Sequence, residues 1–187
     1  DGGTRPAGYD DFALLMRSTS NQNRYERAFR IKEIPHTVDS TRSLFLESPV
    51  NDIFHLLQLA VYPDDRFSYA AVLRSPLVHL SDNGFLTLLL ADDHPFSEGA
   101  LTVLEKPDRE RYVIAASMYR DICAHADRIP VTELISRIWY EYGYRYVLLK
   151  NPVFHPYLEY YDYLRELARK ADASSKSLAG FLDMIRP

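Results

Sequence analysis

The chain has 187 residues, 47% of them apolar and 26% charged, which suits one sizeable core or two small ones and excludes a disordered polymer. A net charge of −4 excludes a protein that coats nucleic acid by bulk phosphate neutralisation, so any such contact must be local. One cysteine, Cys123, excludes an internal disulfide, and the apolar runs fall far below the roughly 18 to 20 residues of a membrane span. The expectation is a soluble cytoplasmic protein with no membrane partner.

Residues 1–10 hold three of the seven glycines and read as a flexible lead-in, as though the chain were cut from something longer. Phe12 to Met16 is a run of five apolar residues, the length of a buried parallel strand rather than a helix. Arg17 ends it, and Ser18 to Asn23 are small or amide side chains that favour turns and helix caps. From Arg24 the spacing of Tyr25, Ala28, Phe29 and Ile31 predicts a helix, broken at Ile34-Pro35, and His36-Thr37-Val38 predicts a second strand. Ligands sit at the carboxyl ends of strands in open α/β sheets, so Arg17 and the polar loop after it would occupy a functional edge.

Ser48 and Pro49 predict the start of a helix over Val50 to Val61, with Ile53, Phe54, Leu56, Leu57, Ala60 and Val61 on its buried side. Pro63-Asp64-Asp65 ends it, and Tyr62 to Arg66 is a candidate hinge. Beyond this point helical periods dominate. Helices are predicted at Tyr69 to Leu73 and at Asp82 to Leu90, the latter capped by Ser81 or Asp82; an irregular link follows over Asp92 to Asp108. Arg109 to Ala126 carries a stripe of Tyr112, Ala115, Ala116, Tyr119, Ile122, Cys123 and Ala126. Val131 to Tyr142 carries another and ends at Gly143, so the two predict an antiparallel pair. Tyr157 to Ala171 and Leu178 to Ile185 complete the helices, the last capped by Ser175 or Ser177.

None of the glycines is followed by the lysine of a nucleotide-binding GxxxxGK[ST] loop, and no acidic box follows a hydrophobic strand to hold magnesium. Asp92-Asp93-His94 reads as a solvated acidic turn rather than a metal cluster, and Cys123 as a buried structural thiol rather than a nucleophile. The tyrosines at 140, 142, 144, 146, 157, 160, 161 and 163 could form a base-stacking surface, but the spacing of Tyr157, Tyr161 and Leu164 is that of a half-buried core helix.

Several segments together resemble a known family. Leu15-Met16-Arg17-Ser18, Glu26, Ile34-Pro35-His36, Leu44-Phe45, Asp52 and Asp64-Asp65 follow one another as in the second motor half of UvrD-type superfamily 1 helicases. Leu73-Arg74-Ser75-Pro76-Leu77 and Leu80-Ser81-Asp82 resemble a later segment of the AddA and RecB nuclease-helicase subunits. The resemblance covers roughly the first 90 residues, and 131–145 and 178–185 fit the helical insertion domain more loosely. Val78-His79 stands where the family pattern has a glycine, Asp39 to Ser43 replaces its double glycine, and Gln22 and Arg24 sit one place late.

The resemblance implies a mostly α chain: a flexible lead-in over 1–10, a short α/β part of a RecA-like motor domain over 11–61, and an all-α helical insertion domain over 62–187. It implies a fragment of an ATP-dependent DNA helicase, or helicase-nuclease, of repair and recombination. ATP and Mg would belong to the parent enzyme, with no cofactor and no activity in this fragment. The implied partners are DNA at a junction of single strand and duplex, the remaining helicase domains and a second nuclease-helicase subunit. Arg17, Ser18, Asn23 and Arg24 are then candidates for single-strand contact, and Arg74, Ser75 and Ser81 for duplex phosphate; Arg74 could equally pair with Asp64 or Asp65. The alternative, from a different class, is a non-catalytic helical module that docks a protein partner through its aromatic helices.

Overall fold

A computed structural model describes residues 5–17, 22–37, 50–91, 94–158 and 160–186, with 22, 23, 27, 30, 153, 156 and 157 described by their backbone alone. The described residues are mostly helical and contain no strand. The chain divides into two compact units, Asp1–Ser40 and Thr41–Pro187.

In the first unit, a 3-10 turn at Tyr9–Asp11 is fastened by Arg5, whose Nη1 donates to Asp11 Oδ2 at 2.7 Å while the Gly8 amide donates to the same oxygen at 2.8 Å. The Arg5 guanidinium, helped by that amide, holds the Asp11 carboxyl below its ordinary pKa. The expected strand over Phe12 to Met16 does not form: Phe12 is 73% exposed and Leu15 93%. A covered parallel strand needs hydrogen-bonding neighbours, and no described segment supplies one. Helix α1, Gln22–Ile31, forms as expected, but Tyr25, Ala28 and Ile31 are exposed and only Phe29 is half-buried, its ring 5.2 Å from that of His36. His36 and Thr37 are irregular rather than extended in a strand, and Val38 lies outside the described residues.

The second unit is built around α2, Val50–Val61, which packs against α3 (Arg66–Arg74), α6 (Lys106–His125), α9 (Tyr160–Ala173) and α10 (Leu178–Ile185). Neighbours on several sides explain why α2 is buried nearly all round, including Val50, Ile53, Leu56, Leu57 and Leu59. Ser48 and Pro49, its expected cap, lie outside the described residues. Asp52, in the first turn of α2, accepts a hydrogen bond from the Tyr144 hydroxyl, which ties α2 to α8, Tyr144–Leu149.

Helix α4, Asp82–Leu90, has the expected bounds and the expected Ser81 cap. The irregular link contains one helical turn, α5 at Ala100–Val103, and ends earlier than expected because Pro107 is accommodated in the first turn of α6. The stripe of α6 is buried as expected except at Cys123, which is exposed. Its thiol lies at the rim of the core, where partial burial raises its pKa against a hydrogen bond from Tyr119.

Helix α7, Val131–Ser136, runs into a π-helical turn at Arg137–Glu141. Gly143 follows with φ +71°, the left-handed stop that was expected, and serves also as the N-cap of α8, a helix that was not. The expected α6–α7 pairing gives way to another: α7 packs chiefly against α9, because Trp139 stacks on Tyr161 with centroids 4.2 Å apart and planes 7° from parallel. A 3-10 segment, Pro152–Tyr157, precedes α9, so that helix starts later than expected. Tyr161 and Leu164 are buried, as the core reading requires; nothing is described of the Tyr157 side chain. Ser177 caps α10.

Candidate nucleic-acid interface

The sequence-derived candidates fall in two places. In the first unit, Arg17 and Arg24 are exposed, Ser18 lies outside the described residues, and Asn23 is placed by its backbone in the first turn of α1. The second place is the corner between α3 and α4.

That corner is closed by its own backbone. The amides of Val78 and His79 donate to the Ser75 carbonyl at 3.2 and 2.8 Å, and Leu80 returns to the Leu73 carbonyl at 3.4 Å. His79 takes φ +53°, the left-handed region that favours glycine, at the position where the sequence pattern called for one. The turn is therefore kept without its glycine. Arg111 of α6 braces it, donating to the His79 carbonyl at 2.6 Å.

Arg74, in the last turn of α3, remains exposed. It pairs with Asp82 at 3.3 Å, not with Asp64 or Asp65, and its guanidinium lies 5.1 Å over the Phe85 ring. The side chains of Arg74 and Asp82 are 61% and 87% exposed, so solvent screens that pair and a phosphate could compete for the guanidinium. The serines are engaged internally. Ser75 is buried at the end of α3 and its hydroxyl donates to the Val72 carbonyl at 2.7 Å. The Ser81 hydroxyl donates to Asp108 and its oxygen accepts from the Gly84 amide at 3.0 Å.

Asp108, which sequence reasoning did not single out, organises this corner. It is only 5% exposed, accepts from the Ser81 amide at 3.0 Å, and stands 3.7 Å from Arg111. A carboxylate thus occupies the amino end of α4, the place where a helix dipole would otherwise receive an external anion. In sequence, Asp108 looks like any acid in the first turn of a helix, and nothing in the spacing ties it to Ser81.

The elbow before α3 carries the acidic pair of the resemblance. Asp65 caps α3, accepting from the Ser68 amide at 3.0 Å and the Ser68 hydroxyl at 2.9 Å. Burial pushes its carboxyl pKa up, but these bonds and one from Gln58 outweigh that and hold it below the ordinary value. His55 Nδ1 lies 3.0 Å from the same Ser68 oxygen, between the rings of Phe54 and Phe67, and burial lowers its pKa against the pull of Asp65.

Of Asp92-Asp93-His94, the two acids lie outside the described residues, and His94 faces Asp64 at 3.8 Å. Among the described residues no group of three or more metal-ligating side chains gathers, and no helix is long and apolar enough to cross a membrane.

The chain is 30% identical over 153 residues to the AddA protein, an ATP-dependent helicase/nuclease component, of Lysinibacillus sphaericus, a match that takes in 75% of this chain and 12% of that protein. The AddA protein of Enterococcus faecalis is 32% identical over 119 residues, 62% of this chain and 9% of the relative. The ATP-dependent DNA helicase Rep of Buchnera aphidicola is 31% identical over 68 residues, 36% of this chain and 10% of the relative. The chain is a relative of the UvrD-type superfamily 1 helicases. It spans about a tenth of the length of these helicase relatives. No protein-family model matches it.

Proposed function

We propose that this chain serves as a DNA-contacting part of an ATP-dependent DNA helicase, or helicase-nuclease, of repair and recombination. The observation that carries the reading is the joint similarity to AddA helicase/nuclease proteins and to Rep. In this reading 1–10 is a lead-in, 11–61 belongs to a motor domain and 62–187 to a helical insertion domain, with Tyr62 to Arg66 as the hinge between them. The hinge proposal predicts two orientations about that elbow in two crystal forms or in solution scattering; one fixed orientation in both would end it.

Arg17, Ser18, Asn23 and Arg24 grip single-stranded DNA in this account, and the α3–α4 corner meets duplex. Arg74 is the phosphate contact there, while Ser75 and Ser81 shape the turn from inside. ATP and Mg act elsewhere in the parent enzyme: no glycine of this chain is followed by the lysine that a nucleotide's phosphates require, so its residues do not fit that cofactor. A second nuclease-helicase subunit is a further proposed partner.

The test is fluorescence anisotropy of a labelled duplex with a single-stranded 3' tail, titrated with the chain and with Arg17→Ala/Arg24→Ala. Saturable binding that drops in the double variant supports the reading. Absence of binding at about 50 mM salt, where phosphate contacts are strongest, contradicts it.

A second reading, a helical module that docks a protein, is favoured by exposed aromatic side chains on the C-terminal helices: Tyr140 and Tyr146 at 62% and Tyr163 at 40%. It predicts no DNA binding and loss of a protein contact on Tyr140→Ser/Tyr146→Ser.

A further inference from the structure

We propose that the His79 imidazole is itself a DNA-phosphate contact, presented at the tip of the α3–α4 corner. The proposal rests on the DNA reading given above and assigns a contact to a residue outside that reading's set.

The backbone of His79 is fully employed: its amide donates to Ser75 and its carbonyl accepts from Arg111. Its φ of +53° carries a steric penalty that glycine would not. A side chain kept at such a position needs a use, and elsewhere in this chain that use is internal. Phe96, at φ +56°, is buried among Tyr69, Tyr112 and Tyr119, and Asp127, also at +56°, accepts from the Leu178 amide at 2.7 Å. Glu33 and Ser175 lie just past the ends of α1 and α9.

His79 has no internal use. Its ring is exposed and makes no hydrogen bond or ion pair among the described residues. It stands instead between two exposed arginines, Arg74 at the end of the helix before it and Arg111 bonded to its own carbonyl. The carboxylates of the corner face these arginines: Asp82 pairs with Arg74, and the buried Asp108 lies beside Arg111. An imidazole N–H at the outer tip is therefore free to donate to a phosphate oxygen already drawn by the arginines.

The experiment compares the 187-residue chain with His79→Gly and His79→Asn, reading thermal midpoint and anisotropy with the tailed duplex at low salt. Glycine relieves the left-handed backbone, so His79→Gly is expected to melt no lower than the parent yet bind about fivefold more weakly, the loss of one hydrogen bond. Asparagine tolerates the same backbone and ends short of the imidazole nitrogens. His79→Asn should fold as the parent and show the same loss, which covers the case in which glycine loosens the turn.

Parent-like binding by either variant, alongside weakened binding by Arg74→Ala, overturns the His79 contact and leaves the DNA reading standing. A parent chain that does not bind at all removes both.

Discussion

Ser81 and Asp108 hold each other across 27 residues: the Ser81 amide and hydroxyl both donate to the Asp108 carboxylate, and the same hydroxyl oxygen accepts from Gly84. One buried acid thereby fixes where α4 begins and where α6 passes it. Asp108→Ala removes two charge-assisted hydrogen bonds and leaves a buried amide short of a partner, which should cost about 2 to 3 kcal/mol in urea unfolding. Asp108→Asn keeps the shape and should cost less. An Asp108→Ala loss under about 0.5 kcal/mol would show that the bridge contributes nothing net.

Gly84 sits against the same carboxylate. A Cβ there would lie 2.3 Å from Asp108 Oδ2 and 2.9 Å from its Cγ, closer than any real contact. Alanine normally favours a helix over glycine by about 1 kcal/mol, but the clash must displace a buried acid, so Gly84→Ala should destabilise by about 1 to 3 kcal/mol. The double variant Gly84→Ala/Asp108→Ala should be less destabilised than the sum of the two, which a double-mutant cycle reads directly.

A second cross-chain cap joins α9 to α7. Asp172 accepts from the Val131 amide at 2.8 Å, the Thr132 amide at 3.0 Å and the Thr132 hydroxyl. Asp172→Ala should cost about 1 to 2 kcal/mol, the range of a lost N-cap, and should raise amide exchange in the first turn of α7. Unchanged protection at Val131 and Thr132 would contradict it.

His55 makes stability pH-dependent at the α2–α3 elbow. Its folded pKa lies below the ordinary 6.5 because burial disfavours the charged ring. The unfolded chain therefore takes up the proton first. The stabilisation from the neutral buried ring is complete above about pH 6.5 and is lost as pH falls through the lower folded value. The melting temperature should drop between pH 6.5 and 5, and His55→Phe should flatten that part of the profile. A profile identical in the variant would place the acid sensitivity elsewhere.

Much of the second unit was legible in sequence because its signals are local. Ser81 before Asp82 marks a helix start, Gly143 marks a stop, and the apolar residues of α2 and α10 repeat at helical spacing. What was not legible depends on partners distant in the chain. Asp108 and Asp172 look like solvated first-turn and mid-helix acids until the fold brings Ser81 and Thr132 to them. Trp139 and Tyr161 redirect α7 from α6 to α9, and the π-helical turn at Arg137–Glu141 interrupts a stripe that reads as one continuous helix.

Phe12 to Met16 failed for a different reason. Five apolar residues specify a strand only where other strands complete the ladder, and none is present among the described residues. Of the candidate site, Arg17, Arg24 and Arg74 were correctly read as accessible cations, whereas Ser75 and Ser81 proved to have their hydroxyls committed within the chain.

The central claim is that this chain meets DNA through a few localised arginines rather than through bulk charge. Its most direct test is the slope of log Kd against log salt for the tailed duplex, measured for the parent, Arg17→Ala, Arg24→Ala and Arg74→Ala. Each arginine that neutralises a phosphate should reduce the slope by about 0.7 on single strand and about 0.9 on duplex, in addition to weakening binding at every salt concentration. A parent slope near zero, or one that none of the three substitutions changes, would contradict the account.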